Sequence, residues 1–195
     1  MTIATQDFAE PVFAAQSAFR AIMDATARPG SLQPIKGVHD APKPLTGEAA
    51  TIALALFDHD TPIWLDDGLA AAPDVAAWLR FQTSATVVLE PKFAAFALVS
   101  DPVRLPPFVW FDRGSAEYPD RSTTIILQVA SLKQGETLVL TGPGIRETQP
   151  FRVSPLPADM PDRIAANRSL FPRGVDLLFA APGLIAAIPR SVRLK

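Results

Sequence analysis

Apolar side chains in the first part of the chain recur every three or four residues, which is the spacing of an amphipathic helix. The segment VFAAQSAFRAIMDATA at 12–27 predicts such a helix, with Pro11 in its first turn and Arg28-Pro29-Gly30 ending it. Its predicted core positions are Val12, Ala15, Phe19, Ile22, Met23 and Ala27. Further helices are predicted over EAATIALALFD from Glu48, over 72–83 and over 156–171.

Elsewhere the pattern changes to short apolar runs rich in β-branched residues, which indicate strands. The predicted strands span 61–65, 85–89, 93–99, 123–132, 137–142, 176–180 and 184–190. The continuous apolarity of TIILQVA predicts a central strand covered on both faces, with helices on both sides of the sheet. Pro182-Gly183 predicts a hairpin between the last two strands, and prolines and glycines make 31–46 a connection. We expect one α/β layered domain over 1–195.

Composition narrows the class of protein. The 195 residues have a net charge of -2, which gives no electrostatic attraction for nucleic acid or for an anionic membrane. The absence of cysteine excludes disulfides, thiolate metal sites and a cysteine nucleophile. The N-terminus lacks the pattern of a secretory signal, and no apolar run reaches the roughly 20 residues of a membrane helix. We therefore expect a cytoplasmic protein.

Few residues offer chemistry at a familiar spacing. His39 and His59 are isolated, and Asp58-His59-Asp60 is read either as a ligand group or, more simply, as turn residues, so no metal site is predicted. The lysines lie in connections or at the terminus, which argues against a Schiff base with pyridoxal phosphate, and no cofactor is predicted. Gly142 and Gly144 follow a strand and could cradle a phosphate, but a structural turn explains them as well.

Arginines near turns and element ends are the strongest candidates for binding. Arg28, Arg121, Arg173 and Arg190 could fork onto phosphate, phosphonate or a partner's carboxylates, or could be solvated arginines with local partners. The loop GSAEYPDRSTT at 114–124 adds the hydroxyls of Ser122 and Thr124, although its acids would partly neutralise Arg121. The simplest interpretation is a turn leading into the central strand, in which Ser122 or Thr123 satisfies backbone groups.

Seven strings follow one another along the chain: FRAIMDATARPG at 19–30, LALFDHDTPIWL at 54–65, LRFQT at 79–83, EYPDRSTTIILQVASL at 117–132, LTGPGI at 140–145, FPRGVDLLF at 171–179 and AAIPRS at 186–191. Together they resemble the PhnH family, the H subunit of the bacterial carbon-phosphorus lyase core complex. The resemblance covers nearly the whole chain and rests on the order and spacing of these strings.

The resemblance implies a three-layer α/β/α sandwich with a mixed sheet, like the large domain of pyridoxal-phosphate-dependent transferases without the cofactor or its lysine. It also implies work with the G, I and J subunits, the I subunit being the direct contact, and a homodimer when isolated. In concert with the L subunit, the family joins a phosphonate to the ribose C1 of ATP and releases adenine. It assigns no catalytic residue to this chain.

Two hypotheses follow for the role of the chain. In one, it is a structural and interaction subunit that docks onto its partners and adds no catalytic group. In the other, Arg121, Ser122 and Thr124 form a phosphate or phosphonate pocket with Arg173 and the turn at Gly142 to Gly144. The sequence leaves both open.

Overall fold

The computed structural model describes the chain from residue 9 to 195, with side chains from residue 13 onward. The helices are α1 Ala9–Ala27, α2 Gly47–Leu56, α3 Asp67–Ala70, α4 Pro73–Thr83 and α5 Met160–Ser169. The strands are β1 Gln33–Pro34, β2 Ile63–Leu65, β3 Phe96–Val99, β4 Thr124–Gln128, β5 Thr137–Thr141, β6 Gln149–Arg152, β7 Asp176–Ala181, β8 Leu184–Ile188 and β9 Arg193–Leu194. The predictions about the N-terminal signal and the Val12 side chain lie outside the described residues.

A six-stranded mixed sheet in the order β1-β8-β7-β4-β3-β2 forms the centre of the fold. Strands β2, β3, β4 and β7 run parallel, whereas β8 is antiparallel to β7 across the predicted hairpin at Pro182-Gly183. Strand β4 lies in the middle, and its side chains are buried on both faces: Ile125 and Leu127 belong to one core cluster and Ile126 to the other. This confirms that TIILQVA contains the central strand.

The two faces of the sheet are covered differently. Helices α1 to α4 pack on the face of Ile126. Helix α5 packs on the other face together with a separate three-stranded sheet in the order β6-β5-β9, which contributes Leu140 and Phe151 to the core. The protein is therefore a mixed α/β fold, and the predicted strand at 137–142 belongs to the smaller sheet.

Helix α1 presents a different face to the core from the one predicted. Ala18, Ile22 and Ala25 are buried, whereas Phe19 and Met23 have half of their surface exposed. Of the predicted core positions that the structure describes, Ile22 is correct, and Ala15 and Ala27 are also exposed. Alanines at 18 and 25 share the buried face with Ile22 and let the helix backbone approach α2 and β8 closely, whereas Phe19 and Met23 point away from the core.

The predicted strand at 85–89 is wrong. Only Val87 pairs there, through an isolated parallel bridge to Ile63, and Leu89 is almost fully exposed. Ser84 adopts a left-handed conformation at the end of α4, and a 3-10 turn begins at Pro91, so too little chain remains to form a ladder. The same turn shortens the predicted strand at 93–99 to β3.

Capping side chains mark the starts of two helices, one predicted and one not. Helix α2 begins after Thr46, whose side chain accepts a hydrogen bond from the Ala49 amide, as the sequence indicated. Helix α3 was not predicted, because four residues are too few for a periodic pattern, and it is capped by Asp66. Within the part of the chain described here, no helix is both long and apolar enough to cross a bilayer.

Candidate functional site

Most of the predicted binding residues lie where the parallel strands of the main sheet begin, at the N-terminal ends of β4 and β7. Thr124 pairs with Asp176 there, and Arg121 and Ser122 directly precede β4. Arg173 precedes β7, and Arg190 follows β8, whose end lies beside the start of β7. We call the group formed by Arg121, Ser122, Thr124, Arg173 and Arg190 the polar edge.

The Arg190 side chain already donates hydrogen bonds to other groups of the chain. Its Nη2 donates to Asp176 Oδ2 at 2.5 Å and its Nε to Asp176 Oδ1 at 3.2 Å. Its Nη1 donates to the carbonyl of Pro119, in the 3-10 turn Pro119–Arg121. The side chains of Arg190 and Asp176 are only 16% and 23% exposed. Arg190 therefore links two segments: the turn Pro119–Arg121 and the start of β7, where Asp176 lies.

Arg121 and Arg173, in contrast, are exposed. The Arg121 guanidinium lies 4.3 Å from the centre of the Tyr118 ring, a cation–π contact that leaves its fork free on the outer side. Neither arginine forms an ion pair with another described residue. These two are the cations of the polar edge that an external carboxylate or phosphate could reach.

Two hydroxyls of the loop, those of Thr123 and Ser115, form hydrogen bonds within the fold. Thr123 Oγ1 donates to the Ala94 carbonyl at 2.6 Å, which ties the start of β4 to that of β3 as the turn interpretation predicted. The Ser122 Oγ is buried and has no hydrogen-bond partner among the described residues. Ser115 Oγ accepts from the Tyr118 amide at 2.9 Å within the same loop. In this conformation, the Ser122 hydroxyl is not presented to solvent.

The remaining candidates are Arg28, Gly142 and Gly144. Gly142 lies beside Ser191, the residue after Arg190, since a Cβ on Gly142 would be 3.1 Å from the Ser191 carbonyl oxygen. Arg28 and Gly144 line a cleft of about 450 Å³ between the end of α1 and the β5–β6 turn. We call it the arginine–glycine cleft. Its other lining residues are Pro29, Ser31, Ile145, Arg146, Glu147, Thr148 and Gln149. Arg146, Ser31 and Thr148 were not singled out by the sequence.

Gly144 lines this cleft, and Gly142 begins the turn that carries it. Gly144 has a φ of 81°, and a Cβ there would lie 2.1 Å from the Ala27 carbonyl oxygen, so no side chain fits. Gly142 has a φ of 140° and accepts a hydrogen bond from the Ile145 amide. Gly142 and Gly144 thus belong to a turn whose backbone lies against Ala27, the residue before Arg28.

The sequence Asp58-His59-Asp60 forms an exposed turn. The Asp60 amide donates to Asp58 Oδ1 at 2.9 Å, and His59 Nε2 lies 3.3 Å from Asp60 Oδ2. Among the described residues, no group of three or more histidine, cysteine or acidic side chains is arranged to hold a metal ion.

A buried carboxylate that the sequence did not reveal lies at the opposite side of the sheet, where the parallel strands end. Asp66, directly after β2, accepts hydrogen bonds from the Leu69 amide at 3.0 Å and from the Ser100 amide at 2.7 Å. The Ser100 hydroxyl and the Asp101 amide also donate to it. The polar pair Asp66-Asp67 directly after a predicted strand was the signal that could have indicated it.

The position of Asp66 matters because ligands of open α/β sheets bind outside the carboxyl ends of the strands. After β2 the chain passes to Leu69 on one face, and after β3 it passes to Leu105 and Phe108 on the other. Asp66 and Ser100 lie between these two strand ends and form hydrogen bonds with each other. Part of the carboxyl end of the sheet is thus taken up by side chains of the protein itself.

Gln128 has the same role at the end of β4. Its buried amide accepts from the Thr46 backbone N–H at 2.5 Å and donates to the Pro44 carbonyl at 3.2 Å. The fold is therefore a mixed α/β protein whose C-terminal strand ends are cross-linked by hydrogen bonds, and exposed arginines lie both at the polar edge and in the arginine–glycine cleft.

Comparison with known proteins places this fold in a family. The chain belongs to the family of bacterial phosphonate metabolism proteins called PhnH, whose model matches residues 6–195. A protein of Rhizobium meliloti (strain 1021), named alpha-D-ribose 1-methylphosphonate 5-triphosphate synthase subunit PhnH, is 39% identical over 188 residues. That match covers 96% of this chain and 94% of the relative.

A second relative matches a smaller part of the chain. It is a protein of Stutzerimonas stutzeri described as a candidate C-P lyase subunit protein, HtxG, and it is 32% identical over 81 residues. The match covers 42% of each protein. The family indicated by the ordered strings of the sequence is confirmed.

Proposed function

We propose that this chain is a subunit of the carbon-phosphorus lyase core complex in phosphonate catabolism. In this role it takes part in the transfer of a phosphonate to the ribose C1 of ATP, with release of adenine. The observation that carries the proposal is the family match over residues 6–195. The 39% identical relative, named as a subunit of the corresponding synthase and matched over 94% of its length, supports it.

Within that complex we assign the chain a docking role and no catalytic group of its own. Its direct contact is the I subunit, alongside the G and J subunits, and the isolated chain forms a homodimer in the cytoplasm. We treat 1–195 as one PhnH-like domain whose main sheet and helices are related to the large domain of pyridoxal-phosphate-dependent transferases. The cross-linked strand ends at Asp66 and Gln128 support a structural role, because they fill the position where such sheets bind ligands.

The polar edge is the surface through which we propose docking. Arg121 and Arg173 are exposed there on short turns that Arg190, Asp176 and Thr123 hold in place. A guanidinium presented on a fixed turn can form bidentate bonds with a partner's carboxylates and so set orientation as well as affinity.

Co-expression tests the docking role directly. A tagged copy of this chain is expected to co-elute with the G, I and J subunits. Arg121→Glu and Arg173→Glu together are expected to weaken co-elution strongly, because like charges would face the partner's carboxylates. Arg80→Glu is the matched control, since Arg80 is exposed on α4 away from the polar edge.

Two results would contradict this proposal. If the wild-type chain eluted alone under conditions in which the other subunits assembled, membership of the complex would be refuted. If the double reversal behaved like Arg80→Glu, the docking surface would have to lie elsewhere.

A further inference from the structure

We propose that the arginine–glycine cleft binds the triphosphate group of a nucleotide or of a ribose triphosphate. The choice of triphosphate rests on the proposed function, since the relative's name places a 5-triphosphate in the reaction. The cleft itself stands on the geometry of the described residues. It differs from the pocket expected around Arg121, because its cations come from the end of α1 and from the β5–β6 turn.

Two guanidinium groups from separate segments line the cleft. Arg28 follows α1, and Arg146 follows the turn of Gly142 to Gly144, so two segments of the fold bring these arginines to one cleft. The hydroxyls of Ser31 and Thr148 line the same cleft and can donate to phosphate oxygens. Its volume of about 450 Å³ falls within the range of small-molecule sites and exceeds the needs of a single phosphate.

The backbone of the turn adds further donors. The Ile145 amide is used within the turn, where it donates to the Gly142 carbonyl at 3.1 Å. The amides of Gly144, Arg146, Glu147 and Thr148 donate no hydrogen bond to another residue of the described chain. Free amides on consecutive residues near arginines are a common way to bind phosphate oxygens. The close approach of Gly144 to Ala27 brings this turn to Arg28.

Two acidic groups oppose an anion in this cleft, so a ligand has to compete with them for the arginines. Asp24 pairs with Arg28 at 2.8 Å, and Glu147 lies in the lining. The side chains of Arg28 and Asp24 are 56% and 44% exposed, so this surface pair contributes little stability and can be displaced. A triphosphate carries several negative charges and can compete with Asp24 for Arg28, whereas a phosphonate with one or two charges competes less well.

Titration calorimetry of the intact chain with inorganic tripolyphosphate tests the proposal. We expect binding that is weakened about tenfold or more in Arg28→Ala and in Arg146→Ala, because each removes hydrogen bonds between charged groups. Asp24→Asn should strengthen binding, because it frees Arg28. Arg80→Ala removes the same charge outside the cleft and should leave the affinity within about twofold of wild type. Orthophosphate and methylphosphonate should bind more weakly than tripolyphosphate.

The absence of heat with wild type at millimolar tripolyphosphate would overturn the proposal. An equal loss of affinity in Arg80→Ala and Arg28→Ala would also overturn it, because the effect would then come from overall charge. Tighter binding of methylphosphonate than of tripolyphosphate would overturn it as well. Co-elution with the G, I and J subunits is measured separately. Lost binding with intact co-elution refutes only the cleft, whereas intact binding without co-elution refutes only the role as a subunit.

Discussion

At the scale of single residues, buried polar side chains decide which parts of this fold are rigid. Asp66 accepts hydrogen bonds from three backbone amides and one hydroxyl and has 8% of its surface exposed. Because this buried carboxylate joins residues that follow β2 to residues that follow β3, it holds the ends of the two strands together.

Replacement of Asp66 with asparagine should therefore lower the free energy of unfolding. We expect a loss of about 2–4 kcal/mol in urea denaturation, since an amide group would face donors that need an acceptor. Asp67→Asn is the control, because the Asp67 side chain is 91% exposed. An equal, small effect at both positions would mean that Asp66 is not the link between these strands.

Arg190 and Asp176 should be energetically coupled. Arg190→Met keeps the apolar stem but leaves Asp176 unpaired, and we expect a loss of about 2–4 kcal/mol in the free energy of unfolding. Asp176→Asn should be destabilising in the same direction. The double variant should lose less than the sum of the two, and strict additivity in this cycle would exclude the coupling.

Asp159 provides a test that depends on pH. A hydrogen bond from the Arg163 side chain holds the pKa of the Asp159 carboxyl below its ordinary value. A depressed pKa in the folded state means that the pair stabilises the protein above the unfolded-state pKa and that this contribution disappears as pH falls through the folded-state pKa. An NMR titration should show the low pKa in wild type and its rise in Arg163→Gln; identical curves would contradict the assignment.

At the scale of secondary-structure elements, the sequence predicted most helices and strands but not every face. Periodicity identified α1, yet it favoured Phe19 and Met23 over Ala18 and Ala25, because a hydrophobicity pattern ranks large side chains above small ones. Close packing of a helix against β8 requires small residues, and that requirement arises only from the tertiary structure.

Two neighbouring substitutions in α1 test this orientation. Ile22→Ala should lower the free energy of unfolding by about 2–4 kcal/mol, since Ile22 is only 4% exposed within the core. Met23→Ala should lower it by less than about 1 kcal/mol, because Met23 is 54% exposed. Thermal denaturation of both variants gives the comparison. A larger effect at Met23 would support the face predicted from sequence.

The segment 85–89, which was wrongly predicted as a strand, shows the limit of strand propensity in the same way. Its residues have high strand propensity, but pairing needs a neighbouring strand with enough length on both sides. Ser84 and Pro91 leave only Val87 in register with Ile63. Propensity indicates what a segment can do, and the surrounding turns decide whether it does so.

At the scale of the whole molecule, the sequence predicted the α/β class, the central strand and the family, because these depend on patterns spread along the chain. It could not predict how the candidate side chains are distributed. Arg28 and Gly144 are far apart in sequence but line the same cleft, whereas Arg190 forms an ion pair with Asp176. Sites of this kind depend on long-range contacts that no local motif records.

The central claim, that this chain is a working subunit of the carbon-phosphorus lyase core complex, is tested most directly by reconstitution. The G, I, J and L subunits would be assayed with ATP and methylphosphonate for release of adenine, with and without this chain. We expect adenine release to fall to background when the chain is omitted and to return when it is added back. Full activity without the chain would contradict the claim.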